Sequence, residues 1–146
     1  MKIGVIGSGS FGTAIAALLD KNGHEITLWS YLKEESDELS ETKVNPLLPN
    51  VKLSDKIKFT SELAQATEEK ELIVTVVPSF ATRQTAKDLS AHIKNGQPMV
   101  NLSKGLENGS LLRLSEVYSE EIPQAQIAVM SGPSHAEEVG IGLPTT

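Results

Sequence analysis

The amino-acid sequence predicts an α/β fold in which helices flank an open, doubly wound and mainly parallel sheet. Segments rich in Val and Ile alternate along the chain with segments whose apolar residues recur at helical spacing. Such alternation is typical of parallel sheets, because each pair of parallel strands needs a crossover connection. A glycine-rich turn directly after the first strand also favours this fold class.

The first three elements form a short strand–helix–strand unit. Residues 2–7 are apolar, residues 13–21 carry one apolar helical face, and residues 25–29 again have the pattern of a strand. Asn22-Gly23 ends the helix, since glycine adopts the left-handed conformation that closes many helices. Two strands joined in this way are expected to be parallel.

The rest of the chain continues the alternation to about six strands. Further strands are predicted at residues 57–60, 71–77, 99–102 and 126–130. Helices are predicted at residues 33–43, from 61 onward, and at 80–94, 110–121 and 135–139. Between them, residues 44–50 form a proline-bracketed loop in which Leu47 and Leu48 are both expected to be exposed.

Length and composition restrict the class of protein. The 146 residues suit one domain, and 39% hydrophobic residues are enough for a core. Thirteen Lys and Arg against 19 Asp and Glu give a net charge of −6, which argues against a nucleic-acid partner. The chain has no cysteine, and no His, Asp and Glu set has metal-ligand spacing. We therefore expect a cytoplasmic protein without a metal site, a signal peptide or a membrane span.

The glycine-rich turn at residues 7–12 has the spacing Gly-x-Gly-x-x-Gly between a strand and a helix. In a Rossmann-type fold, Gly7 permits the sharp turn, Gly9 lets a pyrophosphate approach the backbone, and Gly12 lets the helix pack on the strand. The N–H groups around Ser10 and Phe11 would face the phosphates. A glycine turn without a ligand is the alternative, but the context favours a dinucleotide site.

The residues after the second strand bear on the choice of dinucleotide. An NAD site usually has Asp or Glu at this strand end, yet no carboxylate occurs before Glu34. Ser30 and Lys33 are candidates to bind a 2′-phosphate, so NADP is weakly favoured over NAD. An ordinary solvated helix lysine is the alternative for Lys33.

A second set of candidate residues follows the later strands, at the edge where open α/β sheets bind ligands. Lys104 follows a buried strand and is expected to polarise a carbonyl or hold a phosphate, a surface lysine being the alternative. Residues 131–135 precede a helix, where N–H groups and Ser134 can bind an anion. His135 is interpreted as a loop or cap residue, and His24 and His92 receive no role.

Several motifs together resemble bacterial NAD(P)-dependent glycerol-3-phosphate dehydrogenase over essentially the whole chain. They are the segment from Gly7 to Ala14, Asn22 to Trp29, the N-x-x-L-P loop from Asn45 to Pro49, Val77-Pro78-Ser79, Ser103 to Glu107, and Ser131 to Glu138. The resemblance implies reversible hydride transfer between glycerol 3-phosphate and dihydroxyacetone phosphate, in the synthesis of glycerophospholipid precursors.

The resemblance also assigns residues to roles. Ser10, Phe11, Tyr31 and Ala136 would bind the cofactor, Gly132 and Ser134 the substrate, and Lys104 both. Tyr31 departs from the basic or imidazole side chain frequent in relatives. Residues 1–146 would be the dinucleotide-binding domain, with the catalytic base, a lysine, in a helical C-terminal substrate domain outside this chain. The full-length enzyme is expected to be a homodimer.

Two alternatives stay open at this point. One is the cofactor domain of a hydroxyacid or ketopantoate-type reductase, which is not expected to combine the motifs at residues 103–107 and 131–135. The other is a nucleotide-sensing module without catalysis.

Overall fold

A computed structural model describes residues 1–145 and confirms the doubly wound sheet. All six strands are parallel and lie in the order β3-β2-β1-β4-β5-β6. They are β1 (Lys2–Ile6), β2 (Glu25–Trp29), β3 (Lys58–Thr60), β4 (Leu72–Thr75), β5 (Pro98–Asn101) and β6 (Gln126–Val129). Because the strand order reverses between β1 and β4, a crevice opens at the carboxyl ends of these two neighbours.

Six α-helices connect or follow the strands, roughly where the sequence predicts them. They are α1 (Ser10–Lys21), α2 (Lys33–Thr42), α3 (Leu63–Thr67), α4 (Thr82–Ser90), α5 (Leu114–Glu121) and α6 (Ala136–Ile141), with one 3₁₀ turn at Ser79–Ala81. The longest, α1, has 12 residues. In this described part of the chain, no helix is long and apolar enough to cross a membrane.

Two helices are shorter than the sequence predicts. The predicted helix at residues 80–94 ends at Ser90, where the side-chain amide of Gln124 donates a 2.9 Å hydrogen bond to the Ser90 carbonyl. The predicted helix at 110–121 begins only at Leu114. The preceding residues form a turn in which the N–H of Glu107 bonds the Leu112 carbonyl at 2.9 Å.

The core lies on both faces of the sheet, as alternation along the strands requires. Ile3 and Val5 of β1 pack on one face with residues of α1 and α6, whereas Ile6 packs on the other face with residues of α4 and α5. The prediction that Leu48 is exposed is wrong. Leu48 is 2% exposed and packs in the first of these clusters, whereas Leu47 is 67% exposed as predicted.

Candidate functional site

The glycine turn between β1 and α1 has the geometry that the sequence predicts. Gly7 has a φ of +117°, and a Cβ atom at this position would lie 2.5 Å from the Val76 carbonyl oxygen. At Gly12 a Cβ atom would lie 1.9 Å from the Gly7 carbonyl oxygen. The Val76 backbone therefore leaves no space for a side chain at Gly7, and the close packing of α1 on the turn leaves none at Gly12.

Gly9, unlike Gly7 and Gly12, faces open space. It caps the N-terminus of α1 with a φ of −62° and a ψ of 178°, and a Cβ atom there would meet no atom within 4 Å. The N–H groups of the first helical turn, from Ser10 to Gly12, have no acceptor four residues earlier within the helix. These N–H groups and the helix dipole suit the turn to binding an anion such as a pyrophosphate.

Asn45 stabilises the glycine turn by hydrogen bonds from a separate loop, a role that the sequence did not predict. Its side-chain amide donates hydrogen bonds to the Ser8 carbonyl at 2.7 Å and to the Thr13 hydroxyl at 2.6 Å. Its side-chain oxygen accepts a 2.8 Å bond from the Leu47 N–H. Asn45 is 3% exposed, so these bonds are shielded from water. The one sequence feature that could have indicated this role is that Asn45 is the polar residue of the N-x-x-L-P loop.

The wall of the cleft beyond β2 is acidic. Tyr31, Glu35 and Glu38 line it, and the Ser8 hydroxyl lies 3.5 Å from Oε2 of Glu35. Neither Ser30 nor Lys33, the two residues proposed to bind a 2′-phosphate, is among the described residues that line the cleft. Ser30 is fully buried, and the ammonium group of Lys33 pairs with Asp37 one turn along α2. Glu35 and Glu38 were missed, because only the orientation of α2 places them in the cleft.

The wall beyond β5 carries the predicted cation. The Nζ atom of Lys104 lies 5.7 Å from the centre of the Phe11 ring and donates a 3.2 Å hydrogen bond to the Ser134 carbonyl. Ser134 and Ala136 line this wall too, at the start of α6, which packs against α1. Gly132 is not among the residues that line the cleft.

A network of charged residues fixes the turn that follows Lys104. The Arg83 guanidinium binds both carboxylate oxygens of Glu107, at 2.6 and 2.7 Å, and also contacts Glu120 and Glu121 on α5. The hydrogen bonds that Glu107 accepts from Arg83, and one from the Ser110 hydroxyl, lower the pKa of Glu107 from 4.5 to about 2. Because Arg83 lies on α4, it joins α4, α5 and the 104–107 turn.

These walls enclose one cleft of about 830 Å³ at the crevice between β1 and β4. It brings together the predicted residues Gly7, Gly9, Ser10, Phe11, Gly12, Tyr31, Lys104, Ser134 and Ala136. Its size is within the range of small-molecule and cofactor sites. Within residues 1–145, no three His, Asp or Glu side chains are grouped so as to hold a metal ion.

Comparison with known proteins gives matches along the whole chain. Glycerol-3-phosphate dehydrogenase [NAD(P)+] of Fusobacterium nucleatum is 48% identical over 149 aligned residues, which cover 100% of this chain and 44% of that protein. A second enzyme so named, from Lactobacillus delbrueckii subsp. bulgaricus, is 45% identical over 99% of this chain and 45% of its own length. This chain thus spans less than half the length of these relatives.

A solved structure and a family model agree with these matches. The crystal structure of glycerol-3-phosphate dehydrogenase from Coxiella burnetii superposes with a TM-score of 0.91 at 37% identity, covering 99% of this chain and 44% of that one. A family model described as "NAD-dependent glycerol-3-phosphate dehydrogenase N-terminus" matches residues 2–146. These matches favour that family over the hydroxyacid and ketopantoate-type reductases. The chain belongs to the family of N-terminal domains of NAD-dependent glycerol-3-phosphate dehydrogenases.

Proposed function

We propose that this chain is the dinucleotide-binding domain of a glycerol-3-phosphate dehydrogenase and binds NAD(P)(H) in the cleft between β1 and β4. The observation that carries this proposal is the N-terminus of α1. There Gly9 opens onto the cleft without a side chain, at the point where the strand order reverses. An anionic pyrophosphate is the group that such a helix N-terminus suits.

The residues of the cleft divide into those that hold the cofactor and those that face the substrate. The N–H groups of Ser10 and Phe11 donate to the pyrophosphate, in a turn shaped by Gly7, Gly9 and Gly12. Tyr31 and Ala136 line the two ends of the cofactor site, and Lys104 touches both ligands. Gly132 and Ser134 belong to the substrate side. Gly132 does not line the cleft, so it would contact the substrate only if the substrate extends past the cleft wall formed by Lys104 and Ser134.

In the reaction we propose, the bound cofactor exchanges a hydride with the glycerol 3-phosphate and dihydroxyacetone phosphate pair. The Lys104 ammonium supplies positive charge where the carbonyl oxygen or the phosphate is negative. The catalytic base is a lysine of a helical C-terminal domain that this chain does not contain. This assignment includes a cytoplasmic location and a homodimeric full-length enzyme.

Gly9→Val tests the cofactor site directly. The φ of Gly9 is available to any residue and a side chain there meets only open space, so the variant is expected to fold. The isopropyl group would occupy the place of the pyrophosphate. We expect dinucleotide binding, measured by calorimetry, to weaken at least tenfold. Ala128→Val on the exposed edge strand β6 is the control, and equal affinities in both variants would contradict the proposal.

Turnover separates the enzyme from a nucleotide-sensing module. The 146-residue chain is expected to bind dinucleotide but not to reduce dihydroxyacetone phosphate, because the catalytic lysine lies elsewhere. The full-length protein is expected to catalyse the reduction. Turnover by the chain alone would refute the domain assignment, and a full-length protein that binds dinucleotide without turnover would favour sensing.

A further inference from the structure

We propose that Glu35 makes this domain select NADH over NADPH, by occupying the position that a 2′-phosphate would need. The inference rests on the proposed dinucleotide site and adds its cofactor preference. It reverses the preference that the sequence alone favours, because the two residues on which that preference depended, Ser30 and Lys33, are not among the described residues that line the cleft.

Two observations locate Glu35 in the cleft. It lines the wall beyond β2 together with Tyr31, and its Oε2 atom lies 3.5 Å from the hydroxyl of Ser8 in the glycine turn. In this fold, a pyrophosphate at the N-terminus of α1 places the adenosine ribose beside the end of β2. Glu35 therefore lies where the ribose hydroxyl groups would be.

The charge at this position distinguishes the two cofactors. A carboxylate accepts hydrogen bonds from the 2′- and 3′-hydroxyl groups of NADH, whereas it repels the 2′-phosphate of NADPH. Glu38 adds a second negative charge to the same wall. Among the described residues that line the cleft, the one Lys or Arg is Lys104, which follows β5 rather than β2. No Lys or Arg among the described residues of this wall offsets the repulsion.

The experiment is a calorimetric titration of the chain with NADH and with NADPH, at low and at high salt. At low ionic strength we expect NADH to bind at least about tenfold more tightly than NADPH. The ratio of the two affinities should become smaller as salt screens the repulsion. Glu35→Gln keeps an acceptor near Ser8 but removes the charge. It should bring NADPH to within about threefold of NADH, mainly by strengthening NADPH binding.

Glu34→Gln is the matched control, since it removes the same charge one residue away from a side chain that does not line the cleft. It should leave the ratio of the two affinities unchanged. If NADPH binds as tightly as NADH, or if Glu35→Gln changes the ratio no more than Glu34→Gln, the inference is overturned while the dinucleotide site stands. If neither dinucleotide binds, the proposed function itself fails.

Discussion

The side-chain amide of Asn45 donates a 2.6 Å hydrogen bond to the hydroxyl of Thr13, 32 positions earlier in the chain. The same amide group bonds the Ser8 carbonyl, to which the Thr13 hydroxyl also donates at 3.2 Å. Two polar side chains, Asn45 and Thr13, thus hold the peptide between Ser8 and Gly9 in one orientation. Because this peptide leads into the first turn of α1, Asn45 orients the N–H groups that would receive the pyrophosphate.

Asn45→Ala should therefore weaken dinucleotide binding and also destabilise the fold. Removing the amide deletes three hydrogen bonds, those with the Ser8 carbonyl, the Thr13 hydroxyl and the Leu47 N–H, which typically costs about 1–3 kcal/mol. We expect calorimetry to show binding weaker by roughly tenfold at a temperature where the variant is folded. Asn50→Ala, exposed in the same loop, should change neither quantity. A destabilised variant with unchanged affinity would show that Asn45 serves the fold alone.

Leu48 and Leu47 offer a matched pair for testing how the 44–53 segment is held. Leu48 is 2% exposed and packs with residues of α1 and α6, whereas Leu47 is 67% exposed. Leu48→Ala should lower the free energy of unfolding by about 2–5 kcal/mol, measured by denaturant titration. Leu47→Ala should change it by less than about 0.5 kcal/mol. Similar losses in the two variants would mean that the segment packs differently.

The difference between these leucines separates the features that local sequence patterns predict from those that depend on distant contacts. The strands and the glycine turn follow from local patterns: alternate burial along β1 and the spacing of Gly7, Gly9 and Gly12 require no knowledge of distant contacts. The burial of Leu48 depends instead on α6, almost 90 residues further along the chain, and no pattern within 44–50 encodes it.

The same reason explains what was missed in the site. Glu35 enters the cleft only because α2 is oriented by its packing against the sheet, so its sequence position beyond the strand end gave no signal. In the turn before α5, Glu107 pairs with Arg83, 24 positions earlier in the chain, a contact that no local pattern encodes. In contrast, Lys104 was predicted correctly to reach the site-forming edge, since the carboxyl end of any parallel strand lies there.

The ion pair of Glu107 with Arg83 predicts an acid-sensitive contribution to stability. The folded-state pKa of Glu107 lies at about 2, below its ordinary value of 4.5. A lowered pKa means that the unfolded chain binds the proton more readily, so the contribution is complete above about pH 4.5 and declines as the pH falls toward 2.

Glu107→Gln should accordingly be less stable than the parent chain at pH 7, and the difference should diminish between pH 4.5 and pH 2. Thermal unfolding followed by circular dichroism across this range measures both effects. Glu68→Gln, an exposed carboxylate after α3, serves as the control and should follow the parent at every pH. A difference between Glu107→Gln and the parent that did not vary with pH would contradict the ion-pair explanation.

Lys104 provides a test of the substrate polarisation that we propose for the full-length protein. Its ammonium group is held between the Phe11 ring and the Ser134 carbonyl, and it is the one Lys or Arg among the described residues that line the cleft. Lys104→Met keeps much of the side-chain length but removes the charge, so kcat/KM for dihydroxyacetone phosphate should fall about 10²–10³-fold. Lys56→Met, exposed and remote from the cleft, should leave kcat/KM unchanged. If Lys104→Met lost less than about threefold, Lys104 would be a surface lysine, and the positive charge required by the proposed reaction would have to come from the proposed C-terminal domain.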